Sequence, residues 1–319
     1  VGAVRVQAVA AAGGGGGVNG GRAIVWLRAL RPAQWLKNAV VPAAYFFARW
    51  DPSQQAHVEG LAPVARVALA AACFCAVSSG IYLINDVNDI EADRAHPVKC
   101  RRPLASGALG VREALGAAAV LLGAGLAGSL GLPSAFSGVL CGYGLMQLVY
   151  TFGLKRIPYV DVFVIATGFV LRAVAGAVAL TVRISPWLLL CTFLLALFLA
   201  LCKRRHEKIL LEGEGERHRE ALAGYDRYLL DMQIGIVASA TLVCYAIYTL
   251  SEETVRRFGT NRLGLTIPFV VFGLFRYLDL VYRHDEGGRP EKVMLTDKIL
   301  IATVGCYLLT ALAVFLTGS

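Results

Sequence analysis

Charge is scarce in this chain. Only 17% of its 319 residues are Asp, Glu, Lys or Arg, whereas 57% are hydrophobic and the mean hydropathy is +0.61. Soluble domains carry about 25% charged and about 45–50% apolar residues. The composition therefore excludes an ordinary soluble fold and predicts a polytopic, all-α membrane protein. Histidine is rarer still: His57, His96, His206, His218 and His284 are scattered, which leaves no zinc-site spacing. Among the cysteines, Cys73, Cys75, Cys141, Cys191, Cys244 and Cys306 sit inside apolar runs, and Cys100 and Cys202 stand beside basic residues. Without loop pairs at metal spacing they read as small buried hydrophobes, not as a disulfide framework. Residues 1–21, rich in Ala and Gly, lack the continuous apolar core of a signal peptide. They are expected to be a mobile tail, leaving 22–319 as one membrane domain.

What the chain does have is apolar runs of membrane length. About nine candidate spans, at roughly 20 residues each, fall near 33–49, 64–85, 113–131, 133–152, 160–180, 186–203, 232–251, 264–282 and 298–317. The first is the weakest, because Lys37, Pro42 and Arg49 interrupt or bound it. Basic residues cluster in alternate loops: 22–37, 94–112, 155–156, 203–227 and 283–298. The opposite loops carry few, partly offset by Asp51, Glu59, Glu252 and Glu253. By the positive-inside rule the basic side is cytoplasmic, with the N-terminus inside and the C-terminus outside. That distribution also accounts for the net charge of +9 without nucleic acid as a partner.

One acidic cluster stands out. Asn85-Asp86-x-x-Asp89-x-x-x-Asp93 comes directly after the second apolar run. At helical spacing Asp86, Asp89 and Asp93 share a stripe. Carboxylates at a helix C-terminus oppose the helix dipole and need a compensating cation. Oxygen ligands of this kind suit Mg²⁺, which takes carboxylates together with substrate phosphates. Lys99, Arg101 and Arg102 come next, and acids mixed with guanidinium groups fit a polyanion held partly through metal and partly by Arg. Deep in the fifth run, Arg172 is too costly to be idle. It is expected to face a cavity or pair with an acid, with Asp161 as its candidate partner.

These residues carry a family resemblance. The acidic cluster, with Arg102-Pro103-Leu104-x-x-Gly107 after it, resembles the first aspartate-rich motif of the UbiA superfamily of intramembrane prenyltransferases. The resemblance implies nine helices around a cavity capped on the cytoplasmic side. Tyr150-x-x-x-Leu154-Lys155-Arg156 is similar to the family's tyrosine–lysine element, which implies that Lys155 contacts a substrate phosphate. Where aromatic prenyltransferases of the family carry a second Asp-x-x-x-Asp motif, this chain reads Lys203-Arg204-Arg205-His206-Glu207-Lys208. No second metal site can be built there, whereas a cationic clamp can.

That departure resembles a branch whose members join phosphoribosyl diphosphate to a polyprenyl phosphate. Supporting segments are Arg31-Pro32-x-Gln34-Trp35-x-Lys37-Asn38, Tyr82-Leu83-x-Asn85-Asp86-Val87, Leu171-Arg172-Ala173-x-Ala175-Gly176 and Lys203-Arg204-x-x-Glu207. The resemblance implies a Mg²⁺-dependent transfer at the cytoplasmic face of the cell membrane. Its expected partners are phosphoribosyl diphosphate and a polyprenyl phosphate of decaprenyl type, with self-association left open. Asp86, Asp89 and Asp93 are the expected metal ligands and catalytic residues. Lys37, Asn38, Asn85, Lys99, Arg101, Arg102, Tyr150, Lys155, Asp161, Arg172, Lys203, Arg204 and Glu207 are the expected substrate contacts. Two alternatives stand beside this reading. One is a prenyltransferase moving a prenyl group from prenyl diphosphate to an aromatic ring. The other is a non-catalytic lipid carrier, which the concentration of polar chemistry on one face disfavours.

Overall fold

The computed structural model of the chain describes residues 18–211, 222, 224–284, 286–288 and 290–318. Of the expected tail, residues 1–17 lie outside these, as do residues 212–221 of the basic 203–227 loop. Residues 18–21, assigned to the tail by composition, instead open helix α1 (Val18–Leu30). Among the described residues there are helices and no strands.

The first expected span is a compound element. A 3₁₀ segment, Pro32–Ala39, runs into α2 (Val40–Arg49). Arg31 takes a left-handed conformation (φ 54°) before Pro32, which separates α1 from the 3₁₀ segment. Pro42 sits in the first turn of α2, where its missing N–H is not needed. Because a 3₁₀ helix rises about 2.0 Å per residue, the two pieces together reach roughly 30 Å, the thickness of the hydrocarbon core.

Among the described residues, eight further helices are long and apolar enough to cross a membrane. They are α3 (Leu61–Asn88), α5 (Val111–Ser129), α6 (Ser134–Phe152), α7 (Val160–Leu180) and α8 (Pro186–Leu211) in the first part of the chain. Then come α9 (Arg227–Leu250), α11 (Ile267–Arg283) and α13 (Lys298–Gly318). Short helices α4 (Ile90–Ala95), α10 (Glu252–Phe258) and α12 (Pro290–Thr296) lie between them.

Helices α3 and α7 form the interior. Over half of each apolar window is buried, 56% in both, against 17% in α5 and 22% in α6. The outer helices present Leu130, Val120 and Leu309 outward, as helices facing lipid do. Cys141 and Cys306 are outward too, so those two are not the buried hydrophobes expected. One core gathers α2, α3, α6 and the end of α7 around Phe74, Phe136 and Leu140. A second gathers the start of α7 with α8, α9 and α11 around Phe198, Leu230 and Ile234.

At 28 residues, α3 is about 42 Å long, which exceeds a roughly 30 Å hydrocarbon core. Helix α2 crosses α7 at Gly176, where a Cβ would run into the carbonyl oxygen of Val41. Gly176→Ala is expected to force the two helices apart, losing at least about 1–3 kcal/mol. A fall in detergent melting temperature checks this; an unchanged melting temperature would show that the crossing is not close.

Candidate active site

The acidic cluster lies at one end of the bundle. Asp86 occupies the last turn of α3, Asp89 the junction and Asp93 helix α4. Helical backbone bonds bridge the junction, from Asp89 N to Asn85 O at 3.0 Å and from Asp93 N to Asp89 O at 2.8 Å. Asp86 and Asp93 thus keep a common face, and Arg102 bridges them: its Nη1 is 3.1 Å from Asp86 Oδ1 and 2.6 Å from Asp93 Oδ2. Arg31 binds Asp86 as well. Three residues advance a helix by about 300°, so Asp89 points about 60° away. It meets the 3₁₀ turn after α6, where Lys155 Nζ lies 2.5 Å from Asp89 Oδ1 and 3.1 Å from Asn85 Oδ1. Asn85 Nδ2 in turn donates to Asp89 Oδ2 at 3.1 Å.

The cations that the acidic stripe demands are therefore supplied by the chain itself, as Arg31, Arg102 and Lys155. Burial pushes the Asp93 carboxyl above the usual carboxylate range, against the pull of Arg102. Among the described residues no three His, Cys, Asp or Glu groups converge on one point as a ready chelate. The donor chemistry nevertheless fits Mg²⁺. The carboxylates and the Asn85 amide are hard oxygen donors, and Mg²⁺ is commonly held by one or two carboxylates plus substrate phosphates, without an all-protein cage. Lys99 acts electrostatically on Asp93, while Arg101 is exposed. Tyr150, at the end of α6, lies within electrostatic reach of Arg204.

Several expected contacts have other duties. Arg172 does not pair with Asp161. Eleven residues along α7 separate them by about 16 Å, beyond the reach of an arginine. Instead, Arg172 Nε donates to Asn38 Oδ1 at 2.7 Å, Nη2 to the Tyr143 hydroxyl at 2.7 Å and Nη1 to the carbonyl of Gly168 at 2.9 Å. Asp161, wholly buried, accepts from Tyr225 at 2.6 Å and lies 2.9 Å from Arg204 Nε as an ion pair out of line for a hydrogen bond. Glu207 also pairs with Arg204. Arg204 is 1% exposed, so it is not the open phosphate clamp that the basic run suggested, and Asp161 and Glu207 are its counter-ions. Next to it, Arg205 Nε binds Asp231 Oδ1 at 2.6 Å and stacks over the ring of Tyr282.

Tyr143 and Glu291 stand in no motif of the sequence, and the structure brings them to Arg172 and Gln34. Tyr225, 2% exposed, is held by Asp161; burial and that carboxylate push its phenol above the ordinary value, so it stays a donor. Glu291 belongs to α12 and accepts from Gln34 Nε2 at 2.6 Å. Burial alone would raise its carboxyl, yet Lys37, with Gln34 and Lys203, holds it below the usual range. Arg31 was visible only as one residue of a motif. Its place on Asp86 depends on the left-handed turn before Pro32, which carries no local signal of a partner.

A bundle of membrane-length helices, with acids and bases interlocked at one end, defines an integral membrane protein with a charged site at the end of its helices. Residues 52–206 match the UbiA prenyltransferase family, and the chain belongs to that family. It is 36% identical over 282 residues to the decaprenyl-phosphate phosphoribosyltransferase of Corynebacterium glutamicum, covering 86% of this chain and 81% of that protein. Against the protein of the same description from Mycobacterium tuberculosis the identity is 35%, over 88% and 92% of the two chains. A UbiA homologue from Archaeoglobus fulgidus, solved with GPP and Mg²⁺, superposes with a TM-score of 0.68 at 19% identity. That match covers 91% of this chain and 99% of the other, and it establishes the fold.

Proposed function

We propose that the chain transfers 5-phosphoribose from phosphoribosyl diphosphate to a polyprenyl phosphate of decaprenyl type, releasing diphosphate at the cytoplasmic face of the cell membrane. The observation that carries this reading is the similarity to named decaprenyl-phosphate phosphoribosyltransferases over 86–88% of this chain. Asp86, Asp89 and Asp93, oriented by Asn85, are the residues that would hold Mg²⁺ against the diphosphate. When bound, such a cation neutralises charge on the leaving diphosphate. Arg31, Arg102 and Lys155 already stand on these carboxylates and can turn from them to phosphate oxygens.

An oxygen of the lipid phosphate then attacks ribose C1 from the face opposite the diphosphate. The C1–O bond breaks and its electron pair leaves with the diphosphate. The attacking oxygen is already anionic, so no strong base is required, and positioning with charge stabilisation carries the reaction. Between α2, α9 and α13 an apolar cavity of about 320 Å³, lined by Phe46, Phe47, Tyr245, Tyr307 and Phe315, suits part of an isoprenoid chain.

The aromatic prenyltransferase reading needs acids free for a second metal at the end of α8. Among the described residues, the acids found there, Asp161, Glu207 and Asp231, pair with Arg204 and Arg205. Membrane vesicles decide between the readings. Inverted vesicles, which expose the 94–112 loop, should convert labelled phosphoribosyl diphosphate and polyprenyl phosphate to a labelled lipid, and sealed right-side-out vesicles should not. Consumption of prenyl diphosphate with phosphoribosyl diphosphate ignored would establish the alternative instead.

A further inference from the structure

The turn that carries Lys155 is strained at its far end. Tyr159, just before α7, has φ 66° and ψ −43°, and the amide of Val160 donates to the carbonyl of Pro158 at 2.8 Å. Those angles and that bond put Tyr159 at the centre of a γ-turn of the positive-φ kind, which is rare and strained. Glycine takes such a φ without steric cost, whereas a bulky aromatic residue does not. Strain of this sort persists only where the surroundings enforce it, and it gathers at functional sites. The amide of Tyr159 itself donates to the hydroxyl of Tyr225 at 2.8 Å.

Tyr225 supplies the enforcement from the segment between α8 and α9. Its hydroxyl accepts the Tyr159 N–H and donates its own hydrogen to Asp161 Oδ1 at 2.6 Å, so one group ties both sides of the γ-turn. The rings of Tyr159 and Tyr225 meet edge to face with centroids 4.9 Å apart. A Cβ on Gly224 would strike the ring of Pro158, so the neighbouring backbone is pressed against the same turn. Asp161 is fixed in its turn by Arg204 of α8. Four residues before Tyr159, Lys155 leaves this turn to meet Asp89 Oδ1 at 2.5 Å and Asn85 Oδ1 at 3.1 Å.

We propose that Tyr225 is a positioning residue: by holding the γ-turn at Tyr159 it sets where Lys155 meets the acidic cluster, and with that the grip on a diphosphate. The proposal rests on the reading of the chain as a phosphoribosyltransferase and deepens it, because Lys155 is one of the cations that turn from carboxylate to phosphate. A lysine ammonium rides on a flexible stem, so the backbone beneath it must provide the precision that positioning demands. On the near side of Lys155 stand only Gly153 and a three-residue 3₁₀ segment, Leu154–Arg156, which are the softer end of the turn. The stiff end is the one that Tyr225 holds. Asp161 and Arg204, buried away from substrate, are the footing on which Tyr225 stands.

Binding of inorganic diphosphate in detergent, with Mg²⁺ present, tests it alongside the melting temperature. Lys155→Met deletes a charge-assisted contact and should weaken diphosphate by about tenfold or more. Tyr225→Phe keeps the ring and removes only the hydroxyl; the displaced lysine should cost roughly threefold to tenfold in affinity. Placed in the Lys155→Met protein, Tyr225→Phe should cost less than about twofold further, because the group it positions has gone. Its effect on melting temperature should be the same in both backgrounds, which separates positioning from a structural role. Gly224→Ala drives a methyl group into Pro158, displaces the same turn and should repeat the pattern; it carries the test if Tyr225→Phe does not fold. Additive losses of affinity, wild-type affinity in the folded variants, or no binding of diphosphate by wild type would each overturn the assignment. Vesicle turnover judges the transferase reading separately. A wild type that transfers no phosphoribose, yet shows the non-additive losses of diphosphate, would keep the role of Tyr225 and overturn the donor.

Discussion

Asp86→Asn is expected to lower turnover by about a thousandfold or more, since several kcal/mol of charge stabilisation at the leaving group would go with the ligand. Asp86 is 2% exposed and takes bonds from both Arg31 and Arg102. Asparagine keeps its volume and its carbonyl oxygen, so insertion and folding should survive while the negative charge is lost. Without that charge, a divalent cation and two guanidinium groups compete for too few acids. Chelation of the wild-type protein should reproduce the defect, and added Mg²⁺ should restore wild type but not the variant. Full activity of wild type in excess chelator would remove the metal from the proposal altogether.

Arg204→Met should act on folding, not on substrate affinity. The side chain fills a site 1% exposed, and its loss strands Asp161, which is wholly buried, with only Tyr225 to bind it. Breaking one partner of a buried pair costs about 3–5 kcal/mol. The expected drop in melting temperature is on the order of 10 °C for a chain of this size. Adding Asp161→Asn in the same chain should recover much of the loss, because the stranded charge disappears with its partner. A variant that folds normally but has a raised KM for a phosphorylated substrate would return Arg204 to the role its sequence position suggested.

Arg204 and Arg172 show where the one-dimensional pattern stops being informative. Lys203-Arg204-Arg205 reads as one cationic run, yet Arg204 and Arg205 point to different acids, Asp161 and Asp231, on different helices. Nothing local to the run encodes those partners. Arg172 is indeed too costly to be idle, but the rise along α7 puts Asp161 beyond its reach. Helical geometry alone would have excluded that pair.

The membrane class, the long spans and the acidic cluster were all determined by the order of residues. Hydropathy over a bilayer's thickness and the i, i+3, i+7 spacing of acids are local quantities that need no partner. Glu291 is different: it lies 257 residues from Gln34, and the two meet because α12 folds back over the start of the first span. The coupling of Lys37 to Glu291, the neutral acceptors around Arg172 and the buried counter-ions of Arg204 are likewise facts of packing. A charge in the membrane can be flagged from sequence by its cost. Whether that cost is offset by a carboxylate within the protein or kept open for a ligand depends on which helices touch, and only the tertiary structure decides that.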